Sequence, residues 1–350
     1  MTTSQPFDFD LNRPGALIAG LPAVLGFVPE KSLVLITIDR GEMGCVLRID
    51  LSQTVLEAVG HLCDTAATAC PDAAIAVIID DDGAGCRMCS AQHRELADEL
   101  AVGLRERGIE LLAAHVVDRV AADGQWRCAD ECGTAGAVDD PSASPLTMAA
   151  VLEGRRLYDR RADLEEVVDL DAVRSARLAD VVDRCAEQRA RRDRTDADAR
   201  TDIENVLAAS ARVDDGVVLG DDELAGIACA LTDPQVRDPL YALAVGERAA
   251  QAEVLWVTLS RCLPSPWRAE ALVLLAFSAY VRGDGPLAGV SLEAALRCQP
   301  THRMAGMLDT ALQSGMRPEQ ISELAMTGFR LADRLGVRLP PRQVFNRRAG

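Results

Sequence analysis

The apolar periodicity of this chain changes once, and that change limits the folds open to it more than any other feature. Before the segment GTAGAVDDPSASP (residues 133–145), short β-branched runs alternate with amphipathic stretches. SLVLITID near the start, then Cys45 to Leu51, Ala73 to Ile79 and Ile109 to Val117, have the length and composition of strands. Gly41 and Gly44 between the first two suggest a hairpin, and Gly124 to Cys128 reads as a short further partner. The stretches between them have a helical period. Gln53 to Ala69 carries Val55, Leu56, Val59, Leu62, Cys63 and Ala66 in step, and Ser90 to Arg107 is capped by Ser90 and stopped by Gly108. Such alternation predicts an α/β domain with a mixed, partly parallel sheet and flanking helices.

After residue 145 every convincing period is helical, which predicts an all-α C-terminal domain. The resulting organisation is an α/β domain over residues 1–132, a linker or long loop over 133–146, a helical domain over 147–335 and a fraying tail over 336–350. A chain of 350 residues with 49% hydrophobic content can bury two cores, and with only 3% aromatic residues those cores must be built from Ala, Val and Leu.

Within the helical half, Ala269 to Pro300 reads as a helical hairpin. Gly283 and Asp284 form its turn, Pro286 opens the second helix and Pro300 closes it. With Leu275, Ala276, Ala288, Ala295 and Leu296 at its contacts, it resembles one tetratricopeptide repeat. If used as such repeats are, its first helix presents Glu270, Val273, Phe277, Tyr280 and Val281 to a groove for a protein or peptide partner. The plainer reading is a hairpin at the core of a helical domain. No clean second copy follows, and a single unit cannot bury its own apolar faces.

The formal charge of −17 argues against binding to nucleic acid or an anionic membrane, both of which need a positive field. The longest apolar runs, Leu33 to Ile38 and Ala271 to Val281, fall short of the roughly 20 residues that span a bilayer. The start of the chain shows no secretory signal, so a cytoplasmic location is expected, with the eleven cysteines reduced and mostly serving as small core residues.

Chemistry-bearing groups are few. Cys86 and Cys89 sit in a C-x-x-C pair before a predicted helix. With Cys128 and Cys132 they have spacings that zinc accepts, and no other cofactor is predicted. Two small residues at a helix start is the competing reading of the first pair. Asp80-Asp81-Asp82 lies just past a strand end, where open α/β sheets bind ligands. It reads either as a Mg²⁺ site or as a solvated acidic turn. The four histidines lack metal spacing, and His61 and His115 read as core or edge residues. RARRDR (189–194), interleaved with Glu187 and Asp196, reads as a salt-bridged helix face, and Arg237-Asp238 as an internal ion pair. No catalytic signature is found.

LPAVLGFVPEKSLVLITI near the start, the cluster Trp126, Cys128 and Cys132, GDDELAGIACALTDPQVRD (220–238) and the GDG-turn hairpin ending at Pro300 together resemble the DUF4192 family. Lys31, the chain's only lysine, departs from that pattern, which carries an acidic residue there. The resemblance implies the two-part architecture and supplies no catalytic residue. The leading expectation is a non-enzymatic, regulatory or partner-binding protein acting through its helical domain. The alternative is an enzyme or sensor with a small-molecule or metal site at the strand ends of the α/β domain.

Overall fold

The run SLVLITID and the run AAIAVII are apolar on both faces, and strands of that kind belong at the centre of a sheet covered on each side. A computed structural model describes residues 13–52, 54–83, 87–130, 132–152 and 155–342, with the backbone alone at 87 and 88. It contains strands β1 (Ser32–Asp39), β2 (Glu42–Asp50), β3 (Ala73–Ile79), β4 (Glu110–Val117), β5 (Gln125–Cys128) and β6 (Ala135–Ala137). They form one sheet in the order β2-β1-β3-β4-β5-β6, so the two apolar strands are indeed central. Only β3 and β4 run parallel. The crossover between them is α3 (Arg87–Arg105), and the other pairings are antiparallel.

Helix α2 (Val55–Ala67) and α3 cover one face of this sheet. Leu33, Leu35, Ala74, Ala76 and Ile78 from the strands meet Val59, Leu62, Cys63, Leu96, Leu100 and Leu104 from the helices in one buried cluster. The earlier helix α1 (Pro14–Leu25) continues through Pro22. Proline forfeits one backbone bond, and eight other residues of α1 are buried around it, which offsets that loss.

The chain divides into two compact units within α5 (Arg161–Glu165). This moves the expected boundary. The segment 133–146 supplies β6, a 3₁₀ turn at Pro141–Ala143 and the start of α4 (Pro145–Leu152), all in the first unit. Its small residues suit an edge strand: Gly136 faces the Trp126 ring, and Val138 donates its N–H to Gly124 at 2.7 Å.

The second unit is helical, built from α6 (Ala172–Ala190), α7 (Asp196–Asp214), α8 (Asp221–Leu231), α9 (Pro234–Leu240), α10 (Ala249–Cys262), α11 (Arg268–Val281), α12 (Gly285–Cys298), α13 (Arg303–Gln313) and α14 (Pro318–Arg334). Helices α11 and α12 form the expected hairpin at its centre, with Asp284 capping α12 through the amide of Leu287 at 3.1 Å. The tail is anchored further than its prolines suggest. Val337 is buried, and Pro341 accepts the N–H of Glu247 at 2.9 Å. Among the described residues no helix is long and apolar enough to cross a membrane.

Candidate functional site

Strand register brings Lys31 to Asp80 before any side chain is considered. Ser32 pairs with Ile79 across the antiparallel β1/β3 ladder, so the residue before β1 and the residue after β3 are neighbours. Lys31 turns there with a positive φ of 41°, and its carbonyl accepts the N–H of Leu51 at 2.8 Å. Its ammonium lies 2.6 Å from Asp80, 3.0 Å from Asp81 and 2.8 Å from Asp82. The acidic turn is therefore organised around an ammonium, which stands where a cation would otherwise gather the three carboxylates.

Asp80 is the inner member, with its side chain only 14% exposed. One oxygen accepts from Lys31 and the other meets His93 Nε2 at 2.9 Å. The carboxylate lies so close over Gly83 that a Cβ there would come within 1.9 Å of Oδ2, so a side chain at that position would displace Asp80. Burial pushes the Asp80 carboxyl up, but hydrogen bonds from Lys31 and His93 outweigh it and hold the group below the usual carboxylate range.

His93 comes from the second turn of α3. It stands three residues before Leu96 and seven before Leu100, on the face that helix buries, and is itself 5% exposed. An ionised carboxylate only accepts, so Nε2 carries a proton, and in the neutral imidazole Nδ1 then presents a lone pair. That Nδ1 is buried and has no hydrogen-bond partner among the described residues. His93, Lys31 and Asp80 line a cavity of about 360 Å³ whose walls are Leu51, Val55 and Leu96, with Ser52, Gln92 and Glu95 adding polar groups. Its size falls in the range of small-molecule sites. The arrangement gives a carboxylate-oriented imidazole able to accept a hydrogen bond or a proton.

The other sequence-derived candidates lie elsewhere. Cys128 and Cys132 come together with Asp130, but the group does not include Cys89, and Cys86 falls outside the described residues. The four-cysteine set is thus not assembled among the described residues. Burial and a hydrogen bond with Cys132 push the Cys128 thiol up to about 11. His115 is a buried core residue on the interior strand β4, where burial lowers its pKa, whereas His61 is exposed on α2.

The face of α11 expected to line a groove is core. Val273, Phe277 and Tyr280 are 0%, 1% and 3% exposed. Tyr241 packs on Phe277 at 4.8 Å between ring centroids, and the Tyr280 hydroxyl donates to the carbonyl of Met316 at 2.8 Å. Only Val281, at the end of the helix, and Glu270 are partly exposed. Glu270 is itself occupied, accepting from Arg237 at 3.2 Å and meeting His302 at 3.2 Å. Helices on both sides need apolar cover, and this face supplies it. Arg237 bonds Asp238 as expected, at 2.9 Å, and Glu270 in addition.

The RARRDR segment is salt-bridged, but α6 ends at Ala190 and only Arg191 pairs with an interleaved acid, Glu187; Arg189 and Arg194 bond the more distant Asp202 and Asp233. With Trp267 its arginines line a cavity of about 310 Å³, but Arg189 and Arg194 are spent on those aspartates. His93 is the group that sequence reasoning missed. Its signal was present, because it continues the Leu96, Leu100, Leu104 stripe of α3 as the one polar member at the end nearest the strand-end carboxylates.

Nothing among curated proteins or solved structures matches this chain. One family model does, that of a domain of unknown function, DUF4192, and it takes in residues 14–319, which include the sheet, the Lys31–Asp80–His93 cluster and the central helical hairpin. The chain belongs to the DUF4192 family.

Proposed function

We propose that the α/β unit binds a small polar molecule in the cavity at the carboxyl end of β3, with His93 as its principal hydrogen-bond acceptor. The observation that carries this reading is the unpartnered, buried Nδ1 of an imidazole whose other nitrogen is tied to Asp80. A buried acceptor left without a partner costs about 1–3 kcal/mol, which a ligand N–H or O–H would recover. Charge limits the ligand class. Three aspartates and Glu95 surround one lysine, so the site favours neutral or cationic molecules and disfavours phosphates. If the bound group is acidic enough, the same Nδ1 takes its proton, which would make the site a general-base centre.

Partner binding through the tetratricopeptide-like hairpin has weaker support, because Val273, Phe277 and Tyr280 are core residues. The test is a thermal-shift screen of the full chain against polyols, nucleosides and primary amines, with nucleotides as anionic controls. Saturation at a hundredfold over Kd stabilises by about 2.7 kcal/mol, which is readily seen. We expect hits among neutral or cationic compounds whose shift disappears in His93→Ala. Hits confined to nucleotides, or shifts that survive His93→Ala, would overturn the reading.

A further inference from the structure

A second cluster of ligating groups lies at the far edge of the same sheet, away from the His93 cavity. The β4/β5 pairing sets His115 directly opposite Cys128. The chain then turns back into β6. Cys128 donates its N–H to Thr134 at 3.0 Å, Ala129 donates to Ala114 at 2.8 Å, and Cys132 donates to Asp130 Oδ1 at 3.1 Å. Gly133, at φ +87°, completes a bend that an L side chain would resist. Cys128 Sγ, Cys132 Sγ and an oxygen of Asp130 all fall within 4.8 Å of one another. His115 Nδ1 stands 4.0 Å from Cys128 Sγ, and the imidazole is braced edge-on by Trp126 at 5.2 Å between centroids.

We propose that Cys128, Cys132 and Asp130 bind one zinc ion, with His115 Nδ1 as the fourth ligand. Two sulfurs, one nitrogen and one carboxylate oxygen suit zinc, whereas Mg²⁺ and Ca²⁺ require oxygen throughout. A tetrahedral zinc with Zn–S near 2.3 Å holds its sulfurs roughly 3.8 Å apart. The two sulfurs, within 4.8 Å of each other, must therefore close by about 1 Å, and the exposed Asp130 and Cys132 must move toward His115, whose Nδ1 already stands 4.0 Å from Cys128 Sγ. Each thiol releases its proton to solvent as its Zn–S bond forms, and no electron transfer is involved. The four ligands tie β4, β5 and the turn into β6 together at a sheet edge whose last strand is three residues long. This is a structural role of the kind closed four-ligand zinc sites play.

The test uses the full chain without a polyhistidine tag, kept reduced by a phosphine. Titration with Zn²⁺ alone against a chromophoric competitor should give about one equivalent bound, and Co²⁺ should give thiolate-to-cobalt charge-transfer absorption with tetrahedral d–d bands. Zinc should also protect Cys128 and Cys132 from alkylation, read residue by residue by mass spectrometry, while the exposed Cys70 stays reactive. In the Cys128→Ser, Cys132→Ser variant uptake should vanish, and in His115→Ala affinity should fall at least tenfold. The alkylation readout on the unaltered chain keeps the question decidable if the variants fold poorly. No uptake, uptake that survives the double variant, or zinc that leaves both thiols reactive would each overturn the proposal.

Discussion

His93 in the α/β unit and His302 in the helical unit are buried alike, at 5% and 7% exposed, and each faces a carboxylate, yet only one has bonding capacity to spare. His302 accepts the N–H of Ala305 at Nδ1, 3.2 Å away, and meets Glu270 through Nε2. Glu270 in turn accepts from Arg237. The charged groups Arg237 and Glu270 and both nitrogens of His302 are engaged, as buried charges must be if they are not to destabilise the fold. His93 is held just as firmly by Asp80, but its second nitrogen is unpartnered and it lines a cavity. Burial beside a carboxylate therefore does not mark a site. An unfilled acceptor at a cavity does.

This contrast makes measurable claims, and the largest concerns the helical core. Phe277→Ala should lower the stability of the helical unit by about 4 kcal/mol, from lost burial and the cavity left beside Tyr241. It should leave ligand shifts at the His93 cavity unchanged. A near-neutral result in chemical denaturation would restore α11 as a presented face.

Glu270→Ala should cost about 3 kcal/mol in the same assay, because Arg237 and His302 lose their shared partner in a site where Glu270 is only 12% exposed. A cost below about 1 kcal/mol would mean that water replaces the carboxylate there, and the network would no longer be the closed counterpart of the His93 site.

The smallest effect belongs to the open cluster. Lys31→Met should destabilise by no more than about 1 kcal/mol at neutral pH, since Lys31 is 43% exposed and its pairs are screened. The sign with pH follows from Asp80, whose folded carboxyl is held below its ordinary value, so its contribution is present above that value and lost as pH falls through the folded one. The difference between Lys31→Met and the parent chain should therefore shrink below about pH 4. Stability curves that diverge on acidification would contradict the Lys31–Asp80 pairing.

Much of the architecture was legible from period and composition. The strands over 32–39 and 73–79, the helix over 55–67, the body of α3 and the helical second half follow from local patterns that each segment carries alone, although α3 begins at Arg87 and so takes in Ser90, expected to cap it. The segment 133–146 misled because small residues read equally well as a linker and as an edge strand, and only the presence of β5 beside it decides. The face of α11 misled for a related reason. Apolar residues at helical spacing show that one face is buried, without naming what buries it.

By itself the sequence determined the two-part fold class and membership of DUF4192, because period, propensity and family motifs reside in contiguous residues. Tertiary structure alone decided which polar groups meet. Lys31, Asp80 and His93 lie 49 and 13 residues apart, and they converge only because antiparallel register places one strand's start beside another's end while a crossover helix turns its buried face toward both. Register and packing are properties of pairs of elements, and no single stretch of chain encodes them.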